Sequence, residues 1–194
     1  MSGYSLEHLT PEGHGNLAAM LVGTEGTLVT VLRITVRLVE LPTAPVLVGL
    51  GYPDMVAAAD DVPTVLAHHP LAVEGMDSRL VDVVRQHSGP GSVPALPAGA
   101  GWLLCEVGGD SPEDSLARAH ALADSAHTDA TAVYPPGSQA SALWRIRADG
   151  AGLGGRTPLD TIEDTGNEQA WPGFEDAAVP PARLGDYLRD FTAL

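Results

Sequence analysis

The strongest constraint on the fold is an alternation of short apolar runs with segments of helical periodicity between residues 46 and 147. Each apolar run is long enough for one strand, and a helix-length segment rather than a hairpin turn separates it from the next. This pattern predicts an α+β fold, in which helices cover a sheet of the ferredoxin-like kind. We predict strands at 46–52, 71–75, 101–107 and 130–134, and helices at 54–68, 78–86, 110–126 and 139–147.

Local signals accompany two of these helices. Asp54 is a good N-cap for the first helix, whereas Pro63 favours an early end or a kink within it. Ser111 and Asp114 have the spacing of a capping box, and Pro112 occupies the favoured first position of its helix. These signals support the helical interpretation of both segments.

The segments on either side of this alternation have a different character. Residues 29–41 are dense in β-branched side chains and predict a long strand after a Gly-rich turn, and Pro42 and Pro45 mark a domain boundary. Residues 149–170 are polar and rich in Gly, which predicts a loop. The last predicted elements are a strand at 174–179 and an amphipathic helix at 181–194, with an apolar face of Leu184, Tyr187, Leu188 and Phe191.

Charge and cysteine content exclude several classes of protein. The chain of 194 residues has 25 acidic residues against 10 basic ones, a formal net charge of −15, which opposes binding to the phosphate backbone of nucleic acids. No apolar run reaches the roughly 18 residues of a membrane span. The N-terminus has no signal-peptide pattern, so a cytoplasmic location is predicted. Cys105, the single cysteine, lies in an apolar run and is interpreted as a buried core residue.

Two features could bind a ligand. The Gly-Thr-Glu-Gly-Thr turn at 23–27 offers backbone amides and close approach, although turns of this composition are more often simple connections. Arg147 ends a helix before a Gly-rich segment, where its guanidinium could fork onto a carboxylate. The commoner alternative is a surface arginine that interacts with the helix dipole. The histidines show no metal-ligand spacing, so no metal site is predicted, and no catalytic residue is assigned.

Several motifs near the N-terminus are similar to a known family. They are Gly-Tyr-Ser-Leu-Glu-His-Leu at 3–9, Leu-Val-Gly-Thr-Glu-Gly-Thr-Leu at 21–28 and Ile-Thr-Val-Arg-Leu-Val at 34–39. Together they resemble the end of the PCMH-type FAD-binding domain in the vanillyl-alcohol oxidase superfamily, where this turn and the following strand contact the flavin. By matching position, the resemblance implies FAD contacts at Glu25, Gly26, Thr27, Leu28, Val29, Thr30 and Val31.

The rest of the chain resembles the cap domain of FAD-linked oxidases, found in D-lactate and glycolate dehydrogenases. The motifs are Leu-Ala-Val-Glu-Gly-Met-Asp at 71–77, Gly-Trp-Leu-Leu-Cys-Glu-Val at 101–107 and Leu-Trp-Arg-Ile-Arg at 143–147. In that family the last arginine of such a motif binds the substrate carboxylate, which implies this role for Arg147. The implied domains are 1–42, the end of the FAD-binding domain, and 43–194, the cap domain without its C-terminal end.

The resemblance implies an FAD-dependent oxidoreductase that oxidises a D-2-hydroxy acid, such as D-lactate or glycolate, by hydride transfer to flavin. It also implies that the pyrophosphate-binding loop lies before residue 1 and a His-containing motif after residue 194. The expected partners are therefore the hydroxy acid and the missing N- and C-terminal parts of the enzyme, and this chain alone is expected to be inactive. The alternative is an orphaned cap domain that acts as a binding or assembly module, or is a remnant.

Overall fold

The computed structural model describes residues 3–153 and 178–194. The chain divides into two units, Met1–Glu40 and Leu41–Leu194. The described part of the first unit contains a 3-10 helix, Leu6–Leu9, and helix α1, Leu17–Val22. Asn16 caps α1, since its side-chain oxygen accepts a hydrogen bond from the backbone N–H of Ala19 at 3.0 Å.

The long strand predicted at 29–41 is wrong, because these residues form neither strand nor helix. Their side chains are exposed, and Leu32 reaches 94% exposure. Extended backbone becomes a strand only when a neighbouring strand accepts and donates its hydrogen bonds. The described residues of the first unit provide no such neighbour, so β-branched composition alone does not produce the strand.

The second unit is built on an antiparallel sheet of four strands in the order β2-β3-β1-β4. Strands β1 and β3 lie in the centre, and the shorter β2 and β4 form the edges. This is the order of a ferredoxin-like sheet, with one additional helix between β2 and β3, and it confirms the predicted α+β fold. The strands are β1, Thr43–Tyr52; β2, Ala72–Asp77; β3, Gly101–Gly109; and β4, Thr131–Tyr134.

Helices cover both faces of this sheet. On one side, which we call the α2/α4 face, Val48 and Cys105 of the central strands pack against Val62 and Leu122. On the other, the α3/α5 face, Leu104 packs with residues of α3 and α5. The helices are α2, Met55–Leu66; α3, Ser78–Ser88; α4, Pro112–Ser125; α5, Ser138–Leu153; and α6, Leu184–Thr192, which follows a 3-10 turn at Pro181–Arg183 and packs on α2.

The capping predictions are confirmed. Asp54 Oδ1 accepts from the backbone N–H of Ala57 at 2.8 Å, and Ser111 Oγ accepts from that of Asp114 at 3.1 Å. The second arm of the capping box differs from the usual form, because Asp114 Oδ2 accepts from the backbone N–H of Asp110 at 3.0 Å, one residue before the cap. Both helices therefore begin with their first free N–H groups partly satisfied.

Several predicted boundaries need correction. Helix α2 continues past Pro63 and ends at Leu66, because a proline in the last turn removes only one hydrogen bond near an end that would fray anyway. Helix α5 runs to Leu153, so residues 149–153 are helical and not part of the predicted loop, and 154–170 lies outside the described residues. The strand predicted at 174–179 falls mainly outside them too, and residues 178 and 179 are not in a strand. Among the described helices, none is long and apolar enough to cross a bilayer.

Candidate functional site

Two carboxylates project from the α3/α5 face of the sheet. In the strand register, Glu74 of β2 lies opposite Leu104, and Glu106 of β3 lies between Ala72 and Leu47. Side chains of a strand alternate between faces, and Leu104 and Leu47 belong to the apolar cluster under α3 and α5. Both glutamates are therefore on the side of the sheet that α5 crosses.

Helix α5 places Arg147 beside the first of these carboxylates. Leu143 and Ile146 are almost completely buried and fix the inner side of the helix against the sheet. Arg147 Nε lies 2.8 Å from Glu74 Oε1, with 62% of the arginine side chain and 31% of the glutamate side chain exposed. The arginine is thus attached to the sheet at one nitrogen while most of its surface stays open to solvent.

Arg145 cannot share a ligand with Arg147. Two residues apart on an α-helix differ by about 200° in direction, so the two side chains leave opposite sides of α5. Arg145 borders a separate cleft of about 310 Å³ between α3 and α5. The remaining residues of that cleft are Val84, Ser88, Ser92, Ala142 and Ile146.

A smaller groove of about 160 Å³ lies between the start of α5 and the sheet. Glu106 supplies its carboxylate, Ser141 a hydroxyl and Trp144 an aromatic wall. Its other lining residues are Pro45, Leu47, Pro136, Gly137 and Ala140. A groove of this size is too small for a dinucleotide, since drug-sized ligands occupy about 300–1,000 Å³.

The opposite end of the same face is closed by the loop before β3. Trp102 Nε1 donates to the carbonyl of Pro97 at 2.8 Å, and Tyr134 OH donates to that of Ala95 at 3.0 Å. Gly51 allows this loop to lie against the strand, because an added Cβ would collide with the backbone of Ala98. Burial raises the pKa of the Tyr134 hydroxyl, so this tyrosine remains a donor. The loop therefore covers this face near Gly51 and Trp102.

A second polar centre, on the α2/α4 face, was not found from the sequence. Asp61 of α2 has only 2% of its side chain exposed, and its Oδ2 accepts from Tyr52 OH and from the backbone N–H of His127, both at 2.7 Å. Its Oδ1 lies 3.0 Å from His127 Nδ1, which can donate to it when that nitrogen carries a hydrogen. Burial, followed by the bond to Asp61, raises the pKa of Tyr52. The signal that could have revealed it is an aspartate in line with Ala58 and Val65 on the buried side of α2.

Cys105 lies in the same apolar layer and is completely buried, as predicted. Burial raises the pKa of its thiol to about 12. A thiol held protonated and away from solvent is a poor nucleophile, so Cys105 fills space rather than reacts.

The proposed FAD-contacting residues lie in an open turn of the first unit. Glu25 and Gly26 both adopt positive φ, of 50° and 75°, and a Cβ added to Gly26 would meet no atom within 4 Å. Thr27 Oγ1 donates to the carbonyl of Thr24 at 2.6 Å and is 2.8 Å from Tyr4 OH. The residues that follow, Leu28, Val29, Thr30 and Val31, are all exposed.

Residues 41–194 match the C-terminal domain of FAD linked oxidases. The chain belongs to the FAD-linked oxidase family. This confirms the resemblance found from the motifs and explains the α+β cap domain.

Curated relatives of this FAD-linked oxidase chain are named D-2-hydroxyglutarate dehydrogenase. The chain is 31% identical over 207 residues to the one from Pseudomonas putida, 25% over 211 residues to the one from Haemophilus influenzae and 26% over 211 residues to the one from Escherichia coli. Each comparison covers 100% of this chain and 20% of the relative. The chain therefore spans about one fifth of the length of these relatives.

FAD is the cofactor that membership of this family implies. The turn at Glu25 and Gly26 fits one wall of a flavin site, because its backbone is open and exposed apolar residues follow it. The described residues of this unit do not form an enclosure for a pyrophosphate, which needs several converging amide donors. The first unit can therefore contribute contacts to FAD without forming the whole binding site.

Proposed function

We propose that this chain is part of an FAD-dependent dehydrogenase that oxidises a D-2-hydroxy acid. Membership of the FAD-linked oxidase family is the observation that carries the proposal, and the names of the relatives support it. A bound flavin would supply the hydride acceptor, while the protein would orient the hydroxy acid. Other parts of the enzyme, acting as partners of this chain, would complete the FAD site, and the cytoplasmic location remains a prediction from the sequence.

Within this class, D-2-hydroxyglutarate is the best candidate substrate. Three relatives bear the name of that activity, whereas D-lactate and glycolate were inferred from motifs shared by the wider family. D-2-Hydroxyglutarate has two carboxylates. Arg147 and Arg145 lie on opposite sides of α5, so this helix can bind only one of the two carboxylates. The second carboxylate would need a cation from elsewhere in the enzyme.

The role proposed for Arg147 is to bind the substrate carboxylate next to the carbon that is oxidised. Its side chain is largely exposed, and its 2.8 Å contact with Glu74 is at Nε. The groove that contains Glu106 and Trp144 lies on the same face of the sheet. Glu25, Gly26, Thr27, Leu28, Val29, Thr30 and Val31 are proposed to contact the flavin.

The test compares Arg147→Lys with Arg145→Lys in the flavoprotein that contains this chain. Lysine keeps the charge but loses the planar fork, so Arg147→Lys should lower kcat/KM for D-2-hydroxyglutarate by about 30-fold, or about 2 kcal/mol. Arg145→Lys is the matched control on the same helix and should leave kcat/KM nearly unchanged. The assignment is wrong if only Arg145→Lys impairs turnover. D-Lactate and glycolate, measured beside D-2-hydroxyglutarate, identify the substrate by the highest kcat/KM.

The alternative is a cap domain without catalytic function. The observation that favours it is that the second unit has its own sheet, two apolar layers and capped helices, and needs no ligand for its core. The two proposals can be distinguished by the colour of the purified protein. A purified assembly that carries FAD and turns over a 2-hydroxy acid supports the dehydrogenase, whereas a folded, colourless protein in every assembly state supports the module.

A further inference from the structure

The fixed partner in the Glu74–Arg147 pair is the glutamate. Glu74 lies in the middle of β2, and its neighbour across the ladder is Leu104, which is 1% exposed. Its side chain is about two thirds buried, whereas most of Arg147 is in solvent. A long arginine side chain loses substantial rotamer entropy when it is held in one position. The carboxylate on the sheet is therefore the more restricted partner, and it determines where the guanidinium lies.

The atoms involved determine which edge of the guanidinium is left for a ligand. Glu74 Oε1 lies 2.8 Å from Nε, the nitrogen nearest the aliphatic stem. A guanidinium is planar, and its two terminal nitrogens form a second edge that matches both oxygens of a carboxylate. A partner at Nε is therefore compatible with a carboxylate ligand at the terminal edge.

We propose that Glu74 is a positioning residue for Arg147, which holds the guanidinium by Nε so that its terminal edge can bind the carboxylate of a 2-hydroxy acid. This inference rests on the proposed function of Arg147. It makes a prediction opposite to that of simple electrostatics. Removal of a negative charge beside an anion site should strengthen anion binding if charge alone matters, and should weaken it if Glu74 orients the arginine.

The experiment uses the ¹⁵N-labelled chain of 194 residues and follows the Arg147 Nε–H signal by NMR, assigned with Arg147→Lys. D-2-Hydroxyglutarate is titrated into the millimolar range. In the wild type this signal should shift in a saturable way. In Glu74→Gln the signal should exchange faster with water, and the affinity should fall by about threefold to fivefold, the range expected when a partly exposed ion pair is lost.

Asp82→Asn is the matched control. It removes the same charge from another exposed carboxylate–arginine pair, in which Asp82 Oδ1 lies 3.1 Å from Arg85 Nη1. This pair is within α3, so the variant should not weaken the binding of D-2-hydroxyglutarate. In the Arg147→Lys background, Glu74→Gln should have no weakening effect, because there is no planar group left to orient. For each variant, unchanged backbone amide signals away from the substituted residue show that the protein is folded.

The outcomes separate the two proposals. If the wild-type Arg147 signal does not respond to D-2-hydroxyglutarate, Arg147 does not bind the carboxylate in this chain by itself, and both proposals fail for the isolated chain. If the wild type binds and Glu74→Gln binds equally well or more tightly, Arg147 is a ligand-binding residue but Glu74 does not position it. Only weaker binding in Glu74→Gln, with Asp82→Asn unaffected, supports the inference.

Discussion

On the α2/α4 face, strand β1 presents Val46, Val48 and Leu50, whereas on the α3/α5 face the same strand presents Leu47 and the glycines at 49 and 51. The first face is a continuous apolar layer in which Asp61 is the one deeply buried carboxylate among the described residues. The second is interrupted by a loop that lies on the glycines and by two partly exposed glutamates. One strand therefore faces a continuous core on one side and, on the other, an apolar cluster bordered by accessible polar groups.

This difference shows how a small domain can separate stability from ligand binding. Burial of apolar side chains contributes most to stability where no ligand has to enter. Polar groups that must remain accessible, such as Glu74 and Arg147, contribute little to it. The comparison predicts large effects on folding from changes on the α2/α4 face, intermediate effects at the loop contact, and small ones at the ion pair.

The largest effect is expected from Asp61→Ala. This change leaves Tyr52 OH and the backbone N–H of His127 without their acceptor inside the protein, and each buried unsatisfied donor costs about 1–3 kcal/mol. The free energy of unfolding, measured with urea and circular dichroism, should fall by about 3 kcal/mol or more. An Asp61→Ala variant as stable as the wild type would show that this network is not structural.

Asp60→Ala is the control for that variant, because it removes the neighbouring carboxylate of the same helix. Asp60 is on the surface, where both of its oxygens accept from Arg189 at 2.8 and 3.1 Å. The Arg189 guanidinium lowers the pKa of Asp60, but solvent screens the pair. Its loss should therefore destabilise the protein much less than Asp61→Ala does.

The next largest effect on stability is expected from Gly51→Ala, which tests the contact between strand β1 and the loop before β3. The new methyl group would collide with the backbone of Ala98 and approach Pro97 Cβ to 3.1 Å. The loop would have to move, at a cost of about 1–3 kcal/mol. Gly91→Ala is the control, since its added Cβ meets no atom within 4 Å, and it should be neutral or slightly stabilising. Equal unfolding midpoints for the two variants would mean that the loop is not held against β1.

The sequence predicted the fold through signals that act locally. Alternation of apolar runs and helical periodicity placed all four strands, and Asp54 and Ser111 marked helix starts because a cap bonds to residues within one turn. Residues 29–41 show where such local signals are insufficient. Their composition favours an extended strand, but a strand needs a partner from another segment, and composition carries no information about that partner.

The sequence predicted one member of the candidate site and missed its neighbours. Arg147 was singled out by a family motif and by a predicted helix end, although α5 continues to Leu153. Glu74 is 73 residues away, and only the register that brings β2 beside β3 and the crossing of α5 place it at 2.8 Å. Asp61 and His127 are 66 residues apart in the sequence and likewise come together only in the folded protein. Long-range pairs of this kind depend on tertiary packing, which the periodicity of one segment cannot show.

The smallest effect on stability is expected from Arg147→Ala, although this variant should have a large effect on ligand binding. The Arg147–Glu74 pair is largely exposed, so its contribution to the free energy of unfolding should be less than about 1 kcal/mol and should shrink at high salt. Leu143→Ala, one turn earlier on the same helix and completely buried, should by contrast cost about 2–5 kcal/mol. Urea unfolding at low and high salt measures both. If Arg147→Ala destabilised the protein as much as Leu143→Ala, the ion pair would be part of the core of the α3/α5 face, and the separation of stability from ligand binding would fail there.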